Sequence, residues 1–136
     1  MQTFLPYPSF SASAEVLDWR RLGKQRVEAK QIYLALSNPT YGWQNHPAVK
    51  MWRGYTGALA HYGEVVCTEW VKRGYKDTLL PWFQERSVPV RFFPAWHGCD
   101  RFHRAHQSNL IRKDPAFYGP KFPGVPADLP YIWPTI

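Results

Sequence analysis

Long apolar runs, cysteine pairs and acidic side chains are all scarce in this 136-residue chain. No stretch approaches the ~18–20 consecutive apolar residues that a membrane-spanning helix requires. The opening MQTFLPYPSF lacks the basic start and apolar centre of an export signal, so the expectation is a soluble, unexported, cytoplasmic protein with no membrane partner. Two cysteines, Cys67 and Cys99, form no CxxC, and no histidines stand at metal-finger spacing. That pattern excludes a disulfide framework and a structural zinc site, and neither metal nor cofactor is expected. Acids are outnumbered, 10 Asp+Glu against 17 Lys+Arg, for a formal charge of +7.

What is abundant is ring surface: 7 Trp, 8 Tyr and 8 Phe make the chain 17% aromatic. Cations neutralise phosphates and rings stack on bases, so the combination favours a nucleic-acid partner. An aromatic-rich interaction module with an incidental basic surface is the competing reading, because tryptophan also fills small cores. Length and composition predict one globular domain over residues 1–136.

Proline and periodicity divide the chain. Pro6 and Pro8 bar a regular helix from the first twelve residues, which read as an arm. Ser11 or Ser13 offers a cap for a first helix over 14–36. The stripe Ala48, Trp52, Tyr55, Leu59, Tyr62, Val66 and Trp70 predicts a second helix over 48–73, despite Gly54, Gly57 and Gly63. Residues 75–99, with Pro81, Pro89 and Pro94, read as an ordered loop. Asp100 can cap a third helix running to about Lys113, which Asp114-Pro115 ends. The proline- and aromatic-rich tail beyond it suits a segment that wraps a surface. The predicted fold is therefore all-α: a compact three-helix domain with an extended N-terminal arm and a C-terminal tail.

Charge is concentrated in two places. Residues 19–30 hold five cations, Arg20, Arg21, Lys24, Arg26 and Lys30, and one acid, Glu28. Glu28 lies four residues from Lys24, a spacing that makes an ion pair on a solvated face and leaves the arginines for phosphate. Residues 101–113 carry Arg101, Arg104, Arg112 and Lys113 with His103, His106 and Gln107 on one face and no acid. No carboxylate or thiol completes a ligand set around the two histidines, so contact with phosphate or a displaced base explains them better. His46, in an Asn-His-Pro turn, suits either a structural role or a donor in an active site.

The order of these pieces resembles the pyrimidine-dimer DNA glycosylase family, the phage endonuclease V type. The resemblance runs over nearly the whole chain. It is carried by the arm, the Arg/Glu-bearing first helix, NPTYGWQNHPAVKMW at 38–52 with His46, and CTEWVKRGY at 67–75. It implies an arm threaded between helices so that the terminal amine reaches the site, cleavage of the glycosidic bond at a pyrimidine dimer, and a strand nick by β-elimination. An α-amine of pKa about 8 is roughly a tenth unprotonated at pH 7, whereas a lysine of pKa about 10.4 is almost wholly charged.

Carried across residue by residue, the resemblance meets a shift in register. Matching Arg26 to the arginine that precedes the family's glutamate puts the acid on Val27; matching Arg20 and Lys24 to the two family cations puts it on Arg21. Glu28 is the one carboxylate of residues 19–36 and is the candidate acid. Gln2 is a bulky second residue, after which an initiator methionine is retained, so the nucleophilic amine is expected on Met1, with Lys24 the substitute. Candidate DNA contacts are Arg20, Arg21, Lys24, Arg26, His46, His103, His106, Gln107, Arg112, Lys113, Phe117 and Tyr118. The expected partner is double-stranded DNA with a damaged or modified base, bound by a monomer in the nucleoid. A non-catalytic reader of such DNA on the same scaffold is the alternative, motivated by the displaced glutamate.

Overall fold

The computed structural model describes residues 1–88 and 92–134, and among these it has seven helices and no strand. The elements are α1 (Phe10–Val16), α2 (Trp19–Ser37), α3 (Pro47–Lys50), α4 (Thr56–Lys72), α5 (Leu80–Arg86), α6 (Asp100–Lys113) and α7 (Pro115–Tyr118). The architecture is all-α, with α2, α4 and α6 as the three long helices. α2 packs along α4, which also carries α1 and α5; α3 leans on α2, and α7 on α6.

The expected first helix is two helices. Ser9 Oγ accepts from Ala12 N at 3.1 Å and starts α1, while buried Leu17 and then Asp18 are extended. Asp18 then restarts the chain as α2 by accepting from Arg21 N. A carboxylate at a helix N-terminus satisfies an orphan amide and complements the positive end of the dipole, so the break is stabilised where it falls.

The expected second helix is broken as well. α3 ends at Lys50, and Gly54 takes φ +88°, a left-handed value that interrupts the axis before α4 begins at Thr56. The loop expected over 75–99 contains α5. Asp77 Oδ2 accepts from Leu79 N and Leu80 N at 3.1 and 2.6 Å, and Pro81 sits in the first turn, where its missing N–H costs nothing. The part of that loop at 89–91 lies outside the described residues.

One cluster of buried side chains joins these elements, with Leu5, Leu22, Ile32, Trp52, Leu59, Tyr62, Phe83, Phe102, Leu110 and Tyr118 essentially inaccessible. Each large apolar side chain so buried contributes roughly 1.5–3 kcal/mol. α5 reaches α4 because position 63 is glycine: a Cβ there would stand 2.2 Å from Phe83 Cε1. The Phe83 ring is wholly buried and has nowhere to go. Gly63→Ala is expected to destabilise the fold by about 1–3 kcal/mol through overpacking, read as a lowered thermal midpoint. An unchanged midpoint would mean that α5 does not seat as described.

Candidate active site

The arm is held mainly through its backbone by side chains from α2, α4 and α6, with Trp52 between α3 and α4 binding the Thr3 hydroxyl. Gln2 N donates to Glu28 Oε2 at 3.1 Å, and Trp52 Nε1 to Thr3 Oγ1 at 3.1 Å. Phe4 N donates to Gln25 Oε1 at 3.0 Å, and the Tyr62 hydroxyl stands 3.0 Å from Phe4 O and 2.7 Å from Gln25 Oε1. Leu5 N donates to His106 Nδ1 at 2.9 Å, while its carbonyl meets His103 Nδ1 at 2.8 Å. Gln107 Nε2 donates to Pro6 O at 2.7 Å. Pro6 and Pro8 deny the arm a helix's internal bonds, and Thr3, Phe4 and Leu5 are buried, so each backbone polar group needs a partner from elsewhere. The helices supply them for Phe4 and Leu5.

This grip fixes where the chain begins. Met1 lines a cleft of about 1240 Å³ with Gln2, Trp19, Arg20, Arg21, Lys24, Gln25, Glu28, Asn109, Lys113, Phe117, Tyr131 and Trp133, among others. On α2, positions 21, 24, 25 and 28 face this cleft because seven residues are close to two full turns. Val27 does not line it and is instead half exposed at 46%. Of the neighbouring pair, Glu28 faces the cleft and Val27 does not. Glu28 stands on the same face as Arg21, two turns along, and Gln25 Nε2 donates to the same Glu28 oxygen at 3.3 Å.

Electrostatics of the surroundings follow from burial and these charges. Burial, then the negative charge of Glu28, pushes the Tyr62 hydroxyl well up, so it stays a neutral donor. Tyr131 is likewise raised, first by burial. Its oxygen accepts from Asn109 Nδ2 at 2.9 Å and is touched by Gln2 Nε2, while its ring stacks on Trp133 at 4.8 Å and 10°. Tyr131 and Trp133 thereby form a tail-borne wall of the cleft. His46 caps α3 by accepting from Ala48 N through Nδ1 at 3.0 Å and lies edge-on to Trp133. Burial, and then the positive charge of the Met1 amine, lower its pKa.

The candidate residues separate into those in the cleft and those spent on architecture. Met1, Arg20, Arg21, Lys24, Glu28, Lys113 and Phe117 line the cleft. Among the described residues, Arg20, Lys24 and Lys113 make no ion pair, whereas Arg21 is bound to Asp18 at 3.1 Å. The expected Glu28–Lys24 ion pair is absent among the described residues, since Glu28 faces the arm.

His103 and His106, expected at the DNA, are committed to the arm in the fold. Both rings are buried, and their Nδ1 atoms hold Leu5. His103 Nε2 accepts from Gly98 N at 2.9 Å, which leaves Nδ1–H to donate to Leu5 O and fixes the neutral tautomer. Burial pushes His106 down to about 3 and lowers His103 too. Gln107 is likewise committed to Pro6.

Three further candidates also make contacts within the fold. Arg26 pairs with Asp77 and lies 4.5 Å over the Trp70 ring. Arg112 donates to Ala127 O and Leu129 O at 3.0 and 2.9 Å and ties down the tail. Tyr118 is fully buried, and its hydroxyl accepts from Asp18 N at 2.9 Å and donates to Asp18 Oδ1.

Gln25, Tyr131, Trp133 and Trp19 belong to the cleft and were not picked out from the sequence. For Gln25 the signal was available, three residues before Glu28 on one helix face. No curated protein and no solved structure matches the chain. A family model described as pyrimidine dimer DNA glycosylase matches residues 1–80, a span that holds the arm, α1, α2, α3 and α4.

Proposed function

The chain belongs to the pyrimidine dimer DNA glycosylase family, and from that premise we propose that it excises a damaged pyrimidine from duplex DNA and then nicks the strand, using the Met1 amine as nucleophile and Glu28 as its carboxylate. The observation that carries this reading is the gripped arm, which brings Met1 into one cleft with Glu28 and with Arg20, Lys24 and Lys113, three cations that make no ion pair among the described residues.

Bases are inaccessible inside a duplex, so the target nucleotide must leave the stack, at a cost of about a few kcal/mol that is least for a damaged base. Arg20, Lys24 and Lys113 neutralise backbone phosphates while this happens. The uncharged Met1 nitrogen attacks C1′ of the extruded nucleotide, the glycosidic electron pair leaves with the base, and ring opening gives an imine. Removal of a C2′ proton then expels the 3′ phosphate by β-elimination. Glu28 is the base in reach, and its negative charge stabilises the cationic imine. Gln2 N–H on Glu28 sets the distance between carboxylate and amine.

Borohydride reduction in the presence of a duplex with an abasic site tests the assignment. The expected product is a covalent adduct whose DNA maps to the N-terminal peptide and which survives Lys24→Ala. An adduct on the Lys24 peptide would transfer the nucleophile's role to that lysine. No adduct, together with no released base from dimer-containing DNA, would replace the enzyme with a non-catalytic reader of damaged DNA.

A further inference from the structure

Two aromatic rings stand exposed on the cleft, and the fold holds them in place. Trp19, the first residue of α2, is 54% exposed, and Phe117, on α7, is 38% exposed; both line the cleft. Residue 18 is joined to residue 118 by two hydrogen bonds, Asp18 N to the Tyr118 hydroxyl and that hydroxyl to Asp18 Oδ1. Tyr118 is fully buried. The chain neighbours of this buried joint are Trp19 and Phe117, so the two rings are mounted on one fixed point shared by α2 and α7.

Each ring carries a cation. The Arg20 guanidinium lies 5.4 Å from the Trp19 centroid, and Lys121 Nζ lies 4.6 Å from that of Phe117. Leaving rings of this size in water forgoes part of the stabilisation their burial would give. A ring with a cation beside it is what a nucleotide offers a place to: stacking for the base, charge for the adjoining phosphate. The other exposed rings among the described residues, Trp43, Tyr75, Phe92 and Phe93, lie outside this cleft.

We infer that Trp19 and Phe117 form a stacking platform that occupies the opened duplex, resting on bases left without a neighbour when the target nucleotide is displaced. The inference rests on the proposed DNA-repair reading and names the residues that recognise an opened stack rather than those that perform the chemistry. Arg20 and Lys121 then meet the phosphates flanking the opening. Phosphate contacts act on any duplex, whereas ring contacts gain only where a base face is free, so the two contributions separate by substrate.

The test compares binding to two duplexes of one sequence, one intact and one with a tetrahydrofuran residue in place of a nucleotide, by fluorescence anisotropy at fixed salt. The parent protein is expected to prefer the interrupted duplex. Trp19→Ala and Phe117→Ala are each expected to reduce that preference about tenfold, on the scale of one base–aromatic stack, with intact-duplex affinity nearly kept. Trp19→Lys is expected to lose the preference while holding or raising affinity for the intact duplex. Equal losses on both duplexes, an unchanged preference in the double alanine variant, or a parent without preference would each overturn the platform. Borohydride trapping of the parent reads the catalytic proposal independently, so a protein that forms the adduct without preferring the interrupted duplex loses the platform alone.

Discussion

Glu28→Gln is expected to slow nicking at a preformed abasic site by about 10²–10⁴-fold, the usual worth of a positioned general base, with little change in affinity for the duplex. Glutamine keeps the size of the side chain and an oxygen that accepts from Gln2 N, so the arm stays in place and the loss isolates the ionised carboxylate. Glu28→Asp is one methylene shorter and loses reach to Gln2 N, so it is expected to fall between the two. Of the other acids lining the cleft, Glu15 is exposed and has no side-chain partner among the described residues, while the oxygens of the remaining three serve elsewhere. Asp18 is bonded to Tyr118 and Arg21; burial raises it, but the Tyr118 and Arg21 hydrogen bonds and the Arg21 charge outweigh this and hold it below the ordinary carboxylate range. Glu69 is paired with Arg73 at 3.3 Å, and Asp114 accepts from Phe117 N at 3.2 Å. Single-turnover rates on an abasic duplex measure the effect. A parent-like rate in Glu28→Gln would remove the carboxylate from the chemistry, whatever nitrogen forms the imine.

The elements that the sequence specified well are those whose ends are local events. α6 ends at Lys113 as expected, because Asp114-Pro115 acts within a residue or two; at its start Asp100 is the first helical residue rather than the expected cap, a position that Cys99 takes. Breaks inside apolar stripes were invisible for a physical reason. Ala48 and Trp52 before Gly54, and Leu59, Tyr62 and Val66 after it, are all buried, so the stripe continues across a break in the helix axis. Periodicity reports which residues meet the core and not whether one axis carries them. α5 escaped notice because Pro81 reads as a breaker unless Asp77 is recognised as the acceptor that opens the helix.

The cleft was legible to the extent that one helix face defines it, which is why Arg21, Lys24 and Glu28 emerged together. The clasp was not, since His106 and Leu5 are 101 residues apart in sequence and nothing local says that a basic-looking face closes on a backbone. Trp19 was not singled out, and Tyr131 and Trp133 lay in the tail read as wrapping a surface. All three needed the arrangement of α2 and the tail around Met1 to show their surroundings.

The clasp makes the protein sensitive to acid. In the folded state His106 binds its proton only near pH 3, while in the unfolded chain it does so near the ordinary 6.5. The unfolded state therefore holds more protons than the folded one between those values. Its contribution to stability is complete above about pH 6.5 and is lost as pH falls, by up to about 1.4 kcal/mol per unit for one such group. His103 and His46 shift in the same direction. Asp18 acts on the carboxylate side, below the ordinary 3.8, so the interval from about 4 to 6.5 isolates the histidines.

Protonation of His106 at Nδ1 would end its acceptance from Leu5 N, and protonation of His103 at Nε2 would displace Gly98 N. Either event loosens the segment that places Met1. His106→Phe keeps a ring in the core but leaves Leu5 N buried without an acceptor, an expected loss of about 1–3 kcal/mol at neutral pH. It is also expected to flatten the pH dependence below 6.5, because the group that titrates is gone. Urea denaturation from pH 4 to 8 on both proteins measures these effects, with amide exchange at Leu5 N reporting the arm directly. A parent whose stability does not change across that interval, or a His106→Phe variant as steep as the parent, would show that the buried imidazole does not hold the arm in the way its geometry indicates.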